Sequence, residues 1–134
     1  MTLAELCAGL TARKAAIIHF SHYAVMRDWL FYPDDLQAAI THKDDWPLCC
    51  SVLWPNHNIK SCGDVGVIFW PNDVTNVSDV NNQDSGSDGD VTGGAPITLE
   101  TFKNTFSVAE GYNEWRMRGA DVVEYSFASI GISG

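Results

Sequence analysis

The chain has 134 residues and is 46% hydrophobic, with five Trp, four Tyr and six Phe. That length suits a single domain spanning residues 1–134, and so many apolar side chains can bury a core, which excludes a disordered acidic tail. Eight Lys and Arg residues stand against 17 Asp and Glu residues, for a formal net charge of −9. This balance argues against binding nucleic acids or membranes, themselves anionic, by bulk electrostatics. Only Arg13–Lys14 and Arg116–Arg118 could form a small basic patch.

The four cysteines do not follow the pattern of a disulfide framework or a zinc site. Cys49 and Cys50 are adjacent in an expected strand, so their side chains would point to opposite faces, and no pair has the C-x-x-C spacing. We expect reduced thiols, no metal site and a cytoplasmic protein. No segment resembles a signal peptide, and the apolar run Ala15–Phe20 is too short to span a bilayer.

The first expected elements are a helix and a buried strand. Thr2 is a suitable N-cap for the helix, and Glu5 stands at the capping-box spacing. The apolar face of this helix would consist of Leu3, Leu6, Cys7 and Leu10. The stretch "AAIIHFS", residues 15–21, predicts a buried strand whose last residues include His19 and Ser21. Polar side chains at a strand end are typical of a pocket, although a lone histidine is more often structural.

The middle of the chain predicts two helices and then two strands. "YAVMRDWL", residues 23–30, has an apolar helical face, and "PDDLQAAITHK", residues 33–43, has an early proline followed by two acids. "LCCSVLW" and "DVGVIFW", residues 48–54 and 64–70, are apolar on both faces, as central strands are. Each of these strands is closed by a Pro-Asn pair, which is typical of turns.

Residues 79–94 are rich in Asp, Gly, Ser and Asn and predict a flexible acidic loop. Its aspartates suggest calcium, but the ligand order and closing Glu of an EF-hand are missing. A helix over residues 98–106, N-capped by Thr98, and strands over 112–119 and 121–132 would complete the chain. Together the pieces predict an α+β domain with a mixed sheet and three or four flanking helices.

Local signatures of known catalysts are few in this sequence. The nucleophile elbow G-x-S-x-G is absent, and so are the Walker and G-x-G-x-x-G loops, which argues against a serine hydrolase and a dinucleotide-binding Rossmann domain. A cysteine hydrolase that pairs Cys49 or Cys50 with His19 or His22 stays open, without a local signature.

Two glutamates interrupt the apolar strands of the last part of the chain. Glu124 alternates with apolar residues in "VVEYS", so we expect it to face solvent. Glu114 lies at the start of a strand between Tyr112, Asn113 and Trp115, and it is less easily explained as a solvent-facing residue.

The order of these pieces resembles the DarT-like ADP-ribosyltransferases. In that family a short helix leads into a strand ending His-Phe-Thr, and a later cysteine-serine strand ends in Pro-Asn. A Phe-containing helix follows, and a final strand carries Gln-Ala-Glu, whose glutamate is catalytic. The matching stretches here are "HFS", "CSVLWPN", "LETFKNTF" and "YNEWR", and the resemblance spans most of the chain.

The resemblance implies an ADP-ribosyltransferase fold, with NAD as the substrate that donates ADP-ribose and releases nicotinamide. Glu114 would be the catalytic residue, which binds a ribose hydroxyl and stabilises the positive charge that develops as nicotinamide leaves. The apolar neighbours Tyr112 and Trp115 could supply the partly closed pocket that this chemistry needs. The NAD-binding residues implied by the resemblance are His19, Phe20, Ser21, Ser51 and Tyr112.

The chain departs from the family at Tyr112, where the family has Gln, and it lacks an arginine before the cysteine-serine strand. Family members act as toxins that modify bases in DNA, which a net charge of −9 does not favour. The acceptor is therefore left open between a nucleic-acid base, a protein and a small molecule, and so is a loss of activity. The alternative is a non-enzymatic inhibitor or immunity-type protein whose acidic loop, residues 79–94, binds a basic protein partner.

Overall fold

The computed structural model describes residues 1–21, 24–27, 30–33, 48–57, 65–81, 94–107 and 113–118. This part of the chain combines α-helices with β-sheet and belongs to the α+β class, as the sequence predicts. The elements are α1 (Leu3–Ala12), β1 (Ala16–Ser21), β2 (Ala24–Arg27), β3 (Leu30–Pro33), β4 (Leu48–Leu53), β5 (Val65–Phe69), a 3-10 turn (Val74–Asn76), β6 (Val77–Asn81), α2 (Leu99–Thr105) and β7 (Glu114–Met117).

Five strands form one sheet in the order β5-β1-β4-β7-β6, and β2 pairs with β3 in a separate ribbon. All pairings between the strands described are antiparallel, so the predicted mixed sheet is wrong for this part of the chain. Two α-helices accompany the sheet among the described residues, instead of three or four. The predicted helix at 33–43 and the predicted strand at 121–132 lie, apart from Pro33, outside the described residues.

The predicted helix at residues 23–30 is wrong. The chain forms the β2–β3 ribbon there, in which Val25 is opposite Tyr32 and Met26 is opposite Phe31. β-Branched and aromatic residues favour strands, and the segment is too short for its helical spacing to outweigh cross-strand pairing. The predicted strands over 15–21, 48–54 and 64–70 are confirmed in β1, β4 and β5.

One face of the five-stranded sheet packs against both helices and forms the hydrophobic core. Leu6 and Leu10 of α1 and Phe102 of α2 belong to the same buried cluster as the strand residues. Trp115 is fully buried there, and its Nε1–H donates to the Thr105 hydroxyl at 3.0 Å, which ties α2 to β7. The sheet contributes Ile17, Leu48, Cys50, Val52, Val67, Phe69, Val77, Val80, Trp115 and Met117.

Helix α1 begins and ends with defined capping motifs. The predicted capping box is present, since Thr2 Oγ1 accepts from the Glu5 N–H at 3.1 Å and Glu5 Oε1 accepts from the Thr2 N–H at 2.8 Å. At the other end Lys14 has a positive φ of 52°, and the Ala15 N–H donates to the Leu10 carbonyl at 2.9 Å. This Schellman-type ending turns the chain directly from α1 into β1.

Gly9 allows the two helices to approach closely. A Cβ atom at this position would lie 2.6 Å from Cζ of Phe102, which is nearer than packed carbon atoms come. Glycine in a helix interior costs about 0.5–1 kcal/mol relative to alanine. The residue therefore weakens α1 locally but lets the Phe102 ring lie against it.

The predicted acidic loop at 79–94 starts too early. Residues 79–81 belong to β6, and Val80 also pairs with Ala95, so Asp79 faces a neighbouring strand instead of solvent. A β-bulge at Ser78 explains why Val77 and Val80, three residues apart, both reach the core. Residues 82–93 lie outside the described part of the chain.

Neither α1 nor α2, the two α-helices of the described residues, is long and apolar enough to cross a bilayer.

Candidate functional site

The sheet face opposite the core carries polar side chains. In β6 and β7 the residues that alternate with the core positions are polar, and β4 contributes Cys49 and Ser51 to the same face before the apolar Leu53. The register aligns these residues across the strands. Cys49 is opposite Arg116, and Asp79 is opposite Arg116 on the other side. We call this surface the polar sheet face and define it by Cys49, Ser51, Asp79, Glu114 and Arg116.

Glu114 is the first residue of β7 and is only 4% exposed. Its Cα is paired with that of Asn81 in β6, and Arg116 follows two residues later on the same face. Removing a carboxylate from water is costly, so carboxylates are rarely buried without a structural or chemical reason. Glu114 therefore remains the strongest acid–base candidate among the predicted site residues.

Asn113 connects Glu114 to Ser51. Its side-chain Oδ1 accepts from the Val52 N–H at 2.8 Å, and its Nδ2 donates to the Val52 carbonyl at 2.9 Å. Its backbone carbonyl accepts the Ser51 hydroxyl at 3.1 Å. The β4–β7 ladder has its last paired residues at Cys50 and Trp115, and the Asn113 amide continues this ladder by one step. Ser51 and Glu114 are thereby brought together on the polar sheet face.

The sequence predicts no role for Asn113, which stands out only as a neighbour of Glu114. Its role could have been predicted from its position, because a side chain with both a donor and an acceptor directly before a buried strand can pair with the backbone of a neighbouring strand. Only Asn and Gln side chains reproduce the donor–acceptor pair of a peptide group.

His19 is 4% exposed, and its Nδ1–H donates to the Cys49 carbonyl at 2.6 Å. Because strand side chains alternate, His19 lies on the same face as Ile17. Ser51 is opposite Ile18 and therefore on the other face. The structure does not bring His19 to the face that carries Ser51 and Glu114.

The other predicted NAD-binding residues are less fully described. Phe20 in β1 is half-buried, and because side chains alternate along a strand it lies on the same face of the sheet as Ile18. The backbone of Ser21 pairs with Val65 at the end of β1, and its side chain lies outside the described residues, as does the whole of Tyr112.

Arg13 and Arg116 of the predicted basic patch make internal contacts. Arg116 forms an ion pair with Asp79, and their side chains are 11% and 18% exposed. The Arg13 guanidinium lies over two aromatic rings, 5.1 Å from the centre of Phe102 in α2 and 4.6 Å from that of Phe106, the C-cap of α2. These contacts reduce the positive charge that the described part of the chain could offer to a nucleic acid.

The cysteine candidates differ in exposure. Burial, with a smaller contribution from Cys49, raises the pKa of the Cys50 thiol well above its ordinary value, so the thiolate that a nucleophile needs is disfavoured. Cys49 is exposed, and His19 contacts its backbone carbonyl. His22 lies outside the described residues. The structure thus argues against Cys50 as the nucleophile of a cysteine hydrolase.

The predicted turn after β4 is confirmed and carries an aromatic stack. The His57 N–H donates to the Trp54 carbonyl at 3.0 Å, and Asn56 has a φ of 69°, as the third residue of a type II turn requires. The rings of Trp54 and His57 are parallel, with centres 3.8 Å apart. Trp54 also contacts Phe106, the C-cap of α2, so the turn is fixed to the core.

Among the described residues, no group of three or more His, Cys, Asp or Glu side chains is arranged so that it could hold a metal ion.

Comparison of the chain with protein-family models, curated proteins and solved structures found no match. A functional proposal therefore depends on the site residues and on the resemblance of the sequence motifs.

Proposed function

We propose that the protein is an NAD-dependent ADP-ribosyltransferase with Glu114 as its catalytic residue. The observation that carries the proposal is the burial of the Glu114 carboxylate beside Ser51, with Asn113 linking the two strands. Buried carboxylates at strand ends are candidates for acid–base and charge-stabilising roles. The order of the motifs adds support because Ser51 and Glu114 occupy the places of the family's serine and catalytic glutamate.

In this reaction the bond between nicotinamide and the ribose carbon breaks, and its electron pair leaves with nicotinamide. Positive charge develops on the ribose, and the Glu114 carboxylate stabilises it while accepting a hydrogen bond from a ribose hydroxyl. The acceptor atom then bonds to the ribose carbon and loses its proton. A carboxylate shielded from water is effective here because its field is weakly screened.

Ser51 has a narrower role than the resemblance implies. Its hydroxyl hydrogen is donated to the Asn113 carbonyl, so its oxygen is left to accept a hydrogen bond. The carboxamide N–H₂ of nicotinamide is a donor that fits this oxygen. His19, Phe20, Ser21 and Tyr112 stay predictions as NAD-binding residues, and the contact of His19 with Cys49 favours a structural role for His19.

The charge of the protein favours a protein or small-molecule acceptor over a nucleic-acid base. The net charge is −9, and Arg13 and Arg116 are engaged with aromatic rings and with Asp79. A toxin or effector that acts on a basic protein surface is consistent with this charge.

The first experiment is a thermal melt with and without millimolar NAD, followed by measurement of released nicotinamide. A ligand that binds only the folded state stabilises it by about 2.7 kcal/mol at 100 times its Kd, so Tm should rise. Glu114→Gln should keep the rise in Tm and lose release by about 100-fold or more.

The matched control for this experiment is Glu100→Gln, the same change at an exposed residue in the first turn of α2. It should release nicotinamide at the wild-type rate. Normal release by Glu114→Gln would overturn the assignment of Glu114, and the absence of both a Tm shift and release in the wild type would overturn the enzyme proposal.

The second candidate function is a non-enzymatic acidic protein that binds a basic protein partner. The net charge and the aspartates of the segment 82–93 favour it. Because Asp79 belongs to β6, the segment is best tested by changing Asp84, Asp88 and Asp90 to Asn and not by deletion from residue 79. The triple variant should bind a cationic peptide more weakly at low salt under this hypothesis, and NAD should leave Tm unchanged.

A further inference from the structure

Asn113 has a hydrogen-bond arrangement that the resemblance does not account for. The family motif has Ala before the catalytic glutamate, whereas this chain has an asparagine that is buried, with an exposure of 3%. Both ends of its side-chain amide bond to one residue of the neighbouring strand, namely Val52, at 2.8 and 2.9 Å.

The position of these bonds matters for the site. Val52 follows Ser51, and Glu114 follows Asn113, so the amide joins the two strands one residue away from each candidate site residue. The Asn113 carbonyl accepts the Ser51 hydroxyl at 3.1 Å, which sets the orientation of that hydroxyl. Three hydrogen bonds therefore fix the distance and the register between Ser51 and Glu114.

We propose that Asn113 is a positioning residue that holds Glu114 and Ser51 in register for the reaction on NAD. This inference rests on the proposed function. Without the amide, only the bond from the Ser51 hydroxyl to the Asn113 backbone carbonyl would hold β7 to β4 ahead of Trp115. The Glu114 carboxylate would then sample positions away from the ribose. A displacement of about 1 Å costs up to about 100-fold in rate, even when the substrate still binds.

The test compares Asn113→Asp with the wild type in nicotinamide release and in NAD affinity. The aspartate has the same shape and keeps an acceptor for the Val52 N–H, but it cannot donate to the Val52 carbonyl. We expect kcat per folded molecule to fall about 10- to 100-fold, with KM for NAD changed by less than about threefold. The folded fraction is measured by circular dichroism on each sample, so a loss of folded protein is not counted as a loss of kcat.

The matched control is Asn76→Asp, because Asn76 is equally buried and its Oδ1 accepts the N–H groups of Asn72 and Asp73. Its kcat per folded molecule should equal that of the wild type. Equal kcat values for Asn113→Asp and the wild type, or equal losses in both Asp variants, would overturn the positioning role.

Hydrogen exchange separates this proposal from the proposed function. In the folded wild type the Val52 amide should be protected, and in Asn113→Ala it should exchange at least about tenfold faster, while the amide of Ile17 should be unchanged. If the alanine variant does not fold, the protection of Val52 in the wild type is the decisive result, and rapid exchange there overturns the inference. A wild type that neither binds nor cleaves NAD overturns the proposed function and, with it, the positioning role, whatever the exchange result.

Discussion

On one face of the five-stranded sheet, Ile17, Val52 and Trp115 pack against two helices, and burial of apolar area supplies the stability. On the other face, Ser51, Glu114 and Arg116 are buried as well, and there the strands are held by hydrogen bonds and an ion pair. Apolar packing tolerates many substitutions of similar volume, whereas polar groups out of water need specific partners. The two faces should therefore respond differently to mutation.

The largest effect is expected on the core face. Leu10→Ala removes a fully buried side chain of α1 and should lower the free energy of unfolding by about 3 kcal/mol. The control is Leu99→Ala, the same change at a residue that is 50% exposed, which should cost less than about 0.5 kcal/mol. Urea denaturation measures both, and equal losses would show that α1 does not cover the core.

An intermediate effect is expected on the polar sheet face. Asp79→Asn removes the acid that pairs with Arg116 and should cost about 1–3 kcal/mol, since the largely buried guanidinium loses the negative charge of the Asp79 carboxylate. Glu100→Gln, which removes one negative charge at an exposed site, should cost less than about 0.5 kcal/mol. Chemical denaturation with urea gives the values, and a loss as small as the control's would mean that the ion pair contributes as little as a surface pair.

Gly9→Ala tests how closely the helix layer packs on the core side. The added methyl group improves helix propensity by about 1 kcal/mol but overlaps the Phe102 ring, which typically costs about 1–3 kcal/mol. We expect a net loss of about 1 kcal/mol and a lower Tm.

Phe102→Leu, combined with Gly9→Ala, should relieve that overlap. In a double-mutant cycle the coupling energy should then favour the double variant by about 0.5 kcal/mol or more. A stabilised single variant Gly9→Ala would show that the helices do not approach as closely as described.

The smallest effect is expected outside both faces, at the cap of α1. The Thr2 backbone N–H and hydroxyl lower the pKa of the Glu5 carboxyl in the folded protein. The folded state thus binds fewer protons, so the contribution of Glu5 to stability is present above the unfolded pKa and is lost as pH falls through the folded value. The stability of the protein should therefore fall slightly less steeply in Glu5→Gln than in the wild type below about pH 4.5, which is the ordinary pKa of a glutamate. Measurement of Tm as a function of pH in the acid range tests this. An unchanged slope would show that the cap does not persist in solution.

Several elements could be read from local sequence. The capping signals of Thr2 and Thr98 correctly predicted where the two helices begin, because a cap depends on residues within one turn. The apolar runs correctly predicted β1, β4 and β5, and the strand predicted over residues 112–119 contains β7. Glu114 could be noticed because a polar residue in a buried strand is unusual, whereas the role of Ser51 was implied by the family resemblance.

Local sequence thus accounts for the helix caps, for most of the strands and for the presence of polar residues within those strands. Tertiary structure alone decided the antiparallel order of the strands, the β2–β3 ribbon in place of a helix, and the placement of His19 on the face away from Ser51. It also decided the pairing of Asp79 with Arg116 and of Asn113 with Val52, which are 37 and 61 residues apart. Such partners cannot be predicted from residue type or spacing, because they depend on which strands become neighbours and in which register.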